Sequence, residues 1–173
     1  LLDDGAVVWI NLGMTGGLLP LQRPPVPAAA AARYGSAATH PAVVFLLDRA
    51  VDLVFDDSRR FGSVERLDAA ASRARSAMFG PEPLEEAFTP RGLWDTLRSS
   101  RSPLRSFLLD QKRIAGIGNI YANEALFRSG LHPARRSHTV RRHEAEALHA
   151  AIRDVLMSAV NAGGTTIRDY RNA

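Results

Sequence analysis

The sequence contains no cysteine, and this absence excludes two kinds of architecture. Without thiols the chain can form neither a disulfide framework nor a zinc site built on thiolates. Its five histidines do not replace them. His138, His143 and His149 are five and six residues apart, so they do not share one face of a helix. We therefore predict no metal site and no cofactor within these 173 residues.

Long apolar runs and lysine are also scarce. No run is long enough to cross a membrane. Lys112 is the only lysine, and the basic charge is unevenly spread: residues 91–142 hold 11 basic and 3 acidic residues, whereas residues 1–90 hold 8 basic and 11 acidic. A basic stretch is often only a solvated helix face, but it is also the electrostatic footprint of nucleic-acid binding. Arginine additionally suits bidentate contact with phosphate.

Strand patterns occupy the first half of the chain and helix patterns the second. Apolar or alternating segments predict strands at 6–12, 18–21, 43–47, 51–55 and 61–67, with a Pro- and Ala-rich surface loop over 23–39. We expect the strand at 18–21 to run back alongside the strand at 6–12. We expect the strands at 43–47 and 51–55 to form a hairpin. Helices are predicted over 68–78, 90–99, 103–110, 119–128 and 139–161, with Asn119 and Thr139 as N-caps and Gly130 as a terminator. The fold class is therefore α+β, with a partial β-sandwich over residues 1–80 and a helical domain over residues 81–173.

The stretch from Leu108 to Pro133 is the most informative part of the sequence. It places Gly116 and Gly118 between two helix patterns, where they permit tight turns and leave bare N–H groups at a helix start. This layout suits a phosphate group, and it is equally typical of an ordinary helix–turn–helix with a glycine cap. We expect the rings of Tyr121 and Phe127 in this stretch to pack in the core.

Two further turns follow predicted strands. Residues 57–62 (Asp-Ser-Arg-Arg-Phe-Gly) place two arginines beside an aromatic ring, either as a surface salt-bridge cluster or as a wedge that enters a base stack. Residues 11–16 (Asn-Leu-Gly-Met-Thr-Gly) carry a methionine, which at such a turn is usually a gap-filler in the core.

Taken together, these segments resemble the formamidopyrimidine-DNA glycosylases, bacterial enzymes that excise oxidised purines. Residues 108–133 are similar to the family's helix–two-turn–helix element. The turns at 57–62 and 11–16 are similar to its Asp-Pro-Arg-Arg-Phe-Gly and His-Leu-Gly-Met-Ser-Gly patterns, with Ser58 in place of proline and Asn11 in place of histidine. The resemblance extends from Leu12 to Tyr170, so the helical domain is expected to bind DNA.

The resemblance implies roles for individual residues. Those expected to contact DNA are His40, Arg59, Arg101, Arg105 and Asn119. Those expected to probe the base stack and fill the void left by an extruded base are Met14, Arg59 and Phe61. Those expected at the start of the base-recognition loop are Thr165, Thr166, Arg168 and Tyr170.

The chemistry that the resemblance implies requires residues that this sequence does not supply. The family uses the amine of an N-terminal proline to form a Schiff base, a following glutamate, a lysine shortly before the methionine turn, and a C-terminal zinc ribbon. We therefore expect no catalytic residue in this chain. We expect it to be an internal fragment of a bifunctional glycosylase and abasic-site lyase, with zinc bound in the parent's C-terminal ribbon.

The expected partner is double-stranded DNA that carries an oxidised base or an abasic site, bound by a monomer in the bacterial cytoplasm at the nucleoid, with no membrane association. Two alternatives stay open: an endonuclease VIII-type glycosylase for oxidised pyrimidines, and a non-catalytic nucleic-acid-binding module.

Overall fold

The computed structural model describes residues 2–23 and 34–162. The chain divides into two compact units, Leu1–Ala74 and Arg75–Ala173. The described strands all lie in the first unit, and most of the helical residues lie in the second. The prediction of an α+β chain with strands before helices is therefore confirmed.

The first unit contains two antiparallel sheets. Its strands are β1 (Val7–Asn11), β2 (Gly17–Gln22), β3 (Pro41–Leu46), β4 (Val51–Asp56) and β5 (Ser63–Leu67). β1 pairs with β5, and a three-stranded sheet has the order β2-β4-β3. The hairpin of β3 and β4 is confirmed, but β2 returns alongside β4 rather than β1. Among the described strands β2 is outermost in this order, a position that suits Pro20 because proline has no N–H to donate to a further strand.

The core of this unit includes residues that sequence patterns assigned to a surface loop. Tyr34 and Ala38 are buried with Val54 of β4. The hydroxyl of Tyr34 donates to the buried carboxylate of Asp52 at 2.5 Å, and Nε of Arg23 donates to the same carboxylate at 2.8 Å. The prediction of a surface loop over 23–39 is therefore wrong at Tyr34 and Ala38. The Tyr34 ring can be buried over Asp52 because the two hydrogen bonds satisfy the Asp52 carboxylate.

Five helices follow the strands. They are α1 (Ala69–Ser76), α2 (Pro90–Arg98), α3 (Leu104–Leu109), α4 (Asn119–Arg128) and α5 (Arg142–Asn161). One apolar core joins α2 to α5, with Leu97, Leu104, Phe107, Leu126 and Leu148 almost fully buried. Each of these helices buries one apolar stripe, which is the pattern that predicted them.

The glycine terminator of α4 is confirmed, whereas both predicted N-caps are wrong. Gly130 has φ +66°, and the N–H of Leu131 donates back to the carbonyl of Leu126 at 2.9 Å. Asn119 is the first helical residue, preceded by Gly118 as the N-cap. Thr139 lies in a short 3₁₀ turn (Ser137–Thr139), and α5 begins only at Arg142.

Glu144 supplies the cap that Thr139 was expected to provide. Its Oε2 accepts from the backbone N–H of Arg141 at 2.7 Å, and its two oxygens accept from the guanidinium of Arg135 at 2.8 Å each. The hydrogen bond from Arg135, followed by that from Arg141, lowers the pKa of Glu144 from 4.5 to about 2. A charged capping residue thus replaces the neutral hydroxyl because an arginine partner holds it in place.

The rings of Tyr121 and Phe127 do not share one environment. Tyr121 packs against the helical core, as predicted. Phe127 is 86% exposed, so its predicted burial is wrong. The two positions are six residues apart, a separation that places them roughly a third of a turn from each other around the axis of α4.

Candidate nucleic-acid interface

Strand pairing in the first unit brings three turns to one end of the β2-β4-β3 sheet. Asp56, the last residue of β4, lies opposite both Gly17, the first of β2, and Pro41, the first of β3. The methionine turn (residues 12–16), the segment before β3 (residues 39–40) and the arginine turn (residues 57–62) are therefore neighbours. Residues far apart in the sequence meet here because, in an antiparallel sheet, the end of β4 lies beside the starts of β2 and β3.

The side chains expected to probe a base stack are exposed at this sheet end. Met14 is 63% exposed and Phe61 is 59% exposed, so Met14 is not a gap-filler in the core. The guanidinium carbon of Arg59 lies 4.7 Å from the centroid of the Phe61 ring. The Oδ1 of Asn11 accepts from the N–H of Gly13 at 3.0 Å and so helps to close the methionine turn. Met14, Phe61 and Arg59 thus face solvent together, an arrangement that suits contact with a base and its phosphate.

Asp57 organises this end of the sheet, a role that sequence patterns did not reveal. It is only 1% exposed. Its Oδ1 accepts from the hydroxyl of Thr15 at 2.6 Å and from the N–H of Arg59 at 3.2 Å, and its Oδ2 accepts from the N–H of Gly62 at 2.8 Å. The hydroxyl of Thr15, followed by the N–H of Gly62, holds the pKa of Asp57 below its ordinary value. The only sign in the sequence was an acidic residue directly after a buried strand.

His40 lies beside the arginine turn and is exposed. Its N–H donates to Asp56 at 2.6 Å, and its carbonyl accepts from the N–H of Asp57 at 3.1 Å. Arg60 has a φ of +56° and donates from Nη2 to the carbonyl of Pro41 at 3.2 Å. His40, Arg59 and Arg60 therefore lie at the same sheet end as the exposed methionine and phenylalanine.

The glycine turn of the second unit is held by one glutamine side chain. Gln111 accepts from the N–H of Gly116 at 2.9 Å and donates to the carbonyl of Ile117 at 2.9 Å. Gly116 has φ +73°, the left-handed conformation that the sequence predicted, whereas Gly118 is extended at φ −99°. The N–H of Ala122 donates the first intrahelical bond of α4, so the N–H groups of Asn119 and Ile120 point out of the helix end, where an anion is favoured.

Arg105 and Asn119, both expected to contact DNA, are hydrogen-bonded to each other. Nη2 of Arg105 donates to Oδ1 of Asn119 at 2.8 Å, and Nε donates to Oδ1 of Asn123 at 3.1 Å. Since a guanidinium offers only donors, the amide oxygen of Asn119 must face it. The amide nitrogen of Asn119 is left to donate elsewhere, at the positive end of a helix. This geometry favours an anion.

A further arginine extends the basic surface, and sequence patterns did not single it out. Residues 102–105 pair with residues 133–137 through backbone bonds that include Leu104 to Arg135 at 2.9 Å and Ser137 to Ser102 at 3.0 Å. Nη1 of Arg136 donates to the carbonyl of Arg101 at 3.1 Å. Arg136 is thereby held near Arg101 and Arg105, both of which are exposed. We call Arg101, Arg105, Asn119 and Arg136 the basic band.

The residues expected at the start of the base-recognition loop, Thr165, Thr166, Arg168 and Tyr170, lie outside the part of the chain that the structure describes. Within it, no three histidine, aspartate or glutamate side chains are placed to share a metal ion. Because the sequence also lacks cysteine, its residues do not fit a zinc ribbon. None of the helices in the described ranges is long and apolar enough to span a membrane.

Comparisons with known proteins agree with this architecture. A family model described as the formamidopyrimidine-DNA glycosylase H2TH domain matches residues 79–171. Formamidopyrimidine-DNA glycosylases of Thermomicrobium roseum and Chloroflexus aggregans are each 44% identical to the chain, over 98% and 99% of its length. The matches cover 60% and 58% of those relatives, so the chain spans only part of their length.

Solved structures extend the comparison to three dimensions. The MutM (Fpg) protein of Thermus thermophilus is 38% identical, with a TM-score of 0.78 over 96% of this chain and 57% of that one. The Lactococcus lactis Fpg in complex with abasic-site DNA is 26% identical, with a TM-score of 0.79 over 95% of this chain and 57% of that one. The resemblance drawn from the sequence motifs is therefore confirmed. The chain belongs to the formamidopyrimidine-DNA glycosylase family.

Proposed function

We propose that this chain grips damaged duplex DNA and probes its base stack for the repair of oxidised purines. The observation that carries the proposal is the exposure of Met14 and Phe61 beside Arg59 at one sheet end. Exposed apolar side chains cost free energy in water, and a ring stacked beneath a guanidinium matches the flat face of a base. Solved relatives were bound to DNA containing an abasic site, a formamidopyrimidine or an 8-oxoguanine analogue, which supports the choice of substrate.

The two units contribute different parts of this function. The basic band of the helical unit supplies phosphate contacts, with the Asn119 amide nitrogen as a neutral donor and Arg101, Arg105 and Arg136 as cations. Such contacts hold a duplex without reading its sequence. The turns of the first unit act on the stack: Phe61 enters it as a wedge, Met14 occupies the void left by an extruded base, and Arg59 with His40 contacts the backbone. Extrusion costs a few kcal/mol, which these contacts offset.

We place the covalent chemistry outside the residues of this chain. In the full activity that we propose, an oxidised purine such as 8-oxoguanine or formamidopyrimidine is excised and the abasic site is then cleaved by β-elimination through a Schiff base. The residues described here position DNA for that reaction and supply no nucleophile. Since the proposed substrate is chromosomal DNA, we also place the protein at the bacterial nucleoid.

Binding to an abasic-site analogue tests this proposal. The chain should bind a duplex with one tetrahydrofuran site more tightly than the same duplex undamaged. Both affinities should fall steeply as salt rises from about 50 to 200 mM, because phosphate contacts release counterions. Arg59→Ala should weaken binding to the damaged duplex most.

Arg49→Ala is the matched control for Arg59→Ala. Arg49 is an exposed arginine in the turn between β3 and β4, at the opposite end of the same sheet. Equal affinity of the unaltered chain for damaged and undamaged duplexes would contradict the proposed function. The proposed excision step is assayed separately, on duplexes that carry 8-oxoguanine or an oxidised thymine.

A further inference from the structure

The carboxylate of Asp57 binds groups from both turns that carry the exposed side chains. It accepts from the Thr15 hydroxyl in the methionine turn at 2.6 Å, and from the Gly62 N–H in the arginine turn at 2.8 Å. We propose that Asp57 and Thr15 form a clasp that positions Met14, Arg59 and Phe61 as one preorganised probe. This inference rests on the proposed function and assigns positioning residues to it.

The two turns are packed directly against each other. A Cβ added to Gly13 would lie 2.9 Å from both the nitrogen of Gly62 and the carbonyl carbon of Phe61. The two turns therefore touch at Gly13. The hydrogen bond from Thr15 to Asp57 is a second connection between them, and it determines where Met14 lies relative to Phe61.

The chemistry of the site requires a carboxylate. Three donors converge on Asp57: the Thr15 hydroxyl, the Arg59 N–H and the Gly62 N–H. Two of them address Oδ1 and the third addresses Oδ2. The side chain of an asparagine at position 57 has only one accepting oxygen. Its NH₂ group would therefore face either the Gly62 N–H or the Thr15 and Arg59 donors, none of which it can accept from. A buried amide in that position would leave a donor unsatisfied, which is costly in a site that excludes water.

The clasp also holds an unfavourable backbone conformation. Arg60 has φ +56°, in the left-handed region that side chains rarely adopt. It lies between the Arg59 and Gly62 N–H groups that donate to Asp57. These two hydrogen bonds span the strained residue and keep the turn closed. The Thr15 hydroxyl connects that closed turn to the methionine turn, and it also lies 3.3 Å from the Arg59 N–H.

Preorganisation predicts a specific pattern of binding. The basic band lies in the other unit and makes no use of Asp57, so its phosphate contacts with duplex DNA do not depend on the clasp. Insertion of Phe61 and Met14 into a damaged site does depend on it, because a loosened probe must first be ordered. Loss of the clasp should therefore lower the preference for damaged DNA while sparing the affinity for undamaged DNA.

Paired substitutions test the clasp in the whole chain. Thr15→Val removes the hydroxyl and keeps the shape, and Thr15→Ser keeps the hydroxyl. With tetrahydrofuran-containing and undamaged duplexes, Thr15→Val should lower the ratio of the two affinities by about tenfold, as expected for one hydrogen bond to a charged group. Thr15→Ser should restore the ratio to within about twofold. Asp57→Asn should lower the ratio further.

A fluorescent base reports the insertion step directly. With 2-aminopurine opposite the abasic site, the unaltered chain and Thr15→Ser should produce the same change in emission on binding, and Thr15→Val should reduce it. An unchanged ratio in Thr15→Val, or an equal loss of affinity for both duplexes, would overturn the clasp. A chain that does not distinguish the two duplexes before any substitution would instead overturn the proposed function.

Discussion

Arg105 donates from Nη2 to the side-chain oxygen of Asn119 at 2.8 Å. This bond determines the orientation of the amide, since the guanidinium has no acceptor to offer its nitrogen. The nitrogen of Asn119 is therefore available to donate beside the first turn of α4. An asparagine that could bind either a donor or an acceptor becomes selective for an anion.

Asn119→Ala should weaken binding to every duplex alike, by about tenfold, because a phosphate contact carries no sequence information. Asn123→Ala is a matched control: Asn123 accepts from the same guanidinium at 3.1 Å, but it lies one turn further along α4. Its effect should stay within about twofold. Fluorescence anisotropy on damaged and undamaged duplexes measures both changes. A loss confined to damaged DNA would contradict the assignment of Asn119 to phosphate.

Arg136→Gln should reduce the dependence of affinity on salt. Each phosphate contact contributes about one unit to the slope of log affinity against log salt concentration. Removing this cation should therefore lower the slope by roughly one. Arg91→Gln is the control, since Arg91 is 84% exposed and lies 3.8 Å from Asp95 within α2. Identical slopes for Arg136→Gln and the unaltered chain would show that Arg136 does not contact a phosphate.

Met14→Ala should leave stability unchanged and reduce the preference for abasic DNA. At 63% exposure the side chain contributes little to the core, so the free energy of unfolding should change by less than about 0.5 kcal/mol. Met157→Ala, at a half-exposed methionine of α5, should change neither quantity appreciably. Thermal unfolding and the affinity ratio provide the two measurements. A large drop in melting temperature for Met14→Ala would place this side chain in the core.

Gly116→Ala should destabilise the helical unit by about 1–2 kcal/mol, because its φ of +73° opposes a Cβ. The added methyl group would meet only Oε2 of Glu82, at an ordinary 3.5 Å, so the cost is conformational. Gly118→Ala, with an extended backbone and nothing within 4 Å, should cost about 0.5 kcal/mol. Chemical denaturation of the two variants separates these costs. Equal destabilisation would mean that the turn does not require the left-handed conformation.

The pKa of Glu144 predicts a loss of stability in acid. Its folded pKa is about 2 against an ordinary 4.5, so the unfolded chain takes up the proton first. The stabilisation is thus complete above pH 4.5 and is lost as pH falls towards 2. After allowance for solvent screening, it amounts to about 1–2 kcal/mol.

Glu144→Gln removes this titration and provides the comparison. Its deficit in unfolding free energy relative to the unaltered chain should be largest at neutral pH and should narrow below pH 4.5. Glu146→Gln is the matched control, since Glu146 makes an exposed pair with Arg142 at 3.2 Å. Its deficit should stay below about 0.5 kcal/mol at every pH. A Glu144→Gln deficit that does not vary with pH would contradict the lowered pKa.

Local chemistry made much of this protein predictable from its sequence. The hairpin of β3 and β4 follows from alternating residues around a short turn, and the stop of α4 follows from Gly130. The left-handed turn at Gly116 follows from the absence of a Cβ. Each of these depends on neighbours within a few residues. The prediction was wrong where a side chain bound a partner further along the chain. Glu144, which Arg135 holds, caps α5 in place of Thr139.

The sequence by itself therefore determined the order of strands and helices, the basic surplus and the motifs that indicate the family. Only the tertiary structure decided that Asp57 joins two turns 42 residues apart, that Arg105 orients Asn119, and that Arg136 lies beside Arg101. The physical reason is that hydrogen bonds act over about 3 Å in space, regardless of separation along the chain. Strand order and helix packing bring these partners within that range, and no local pattern records which partners will meet.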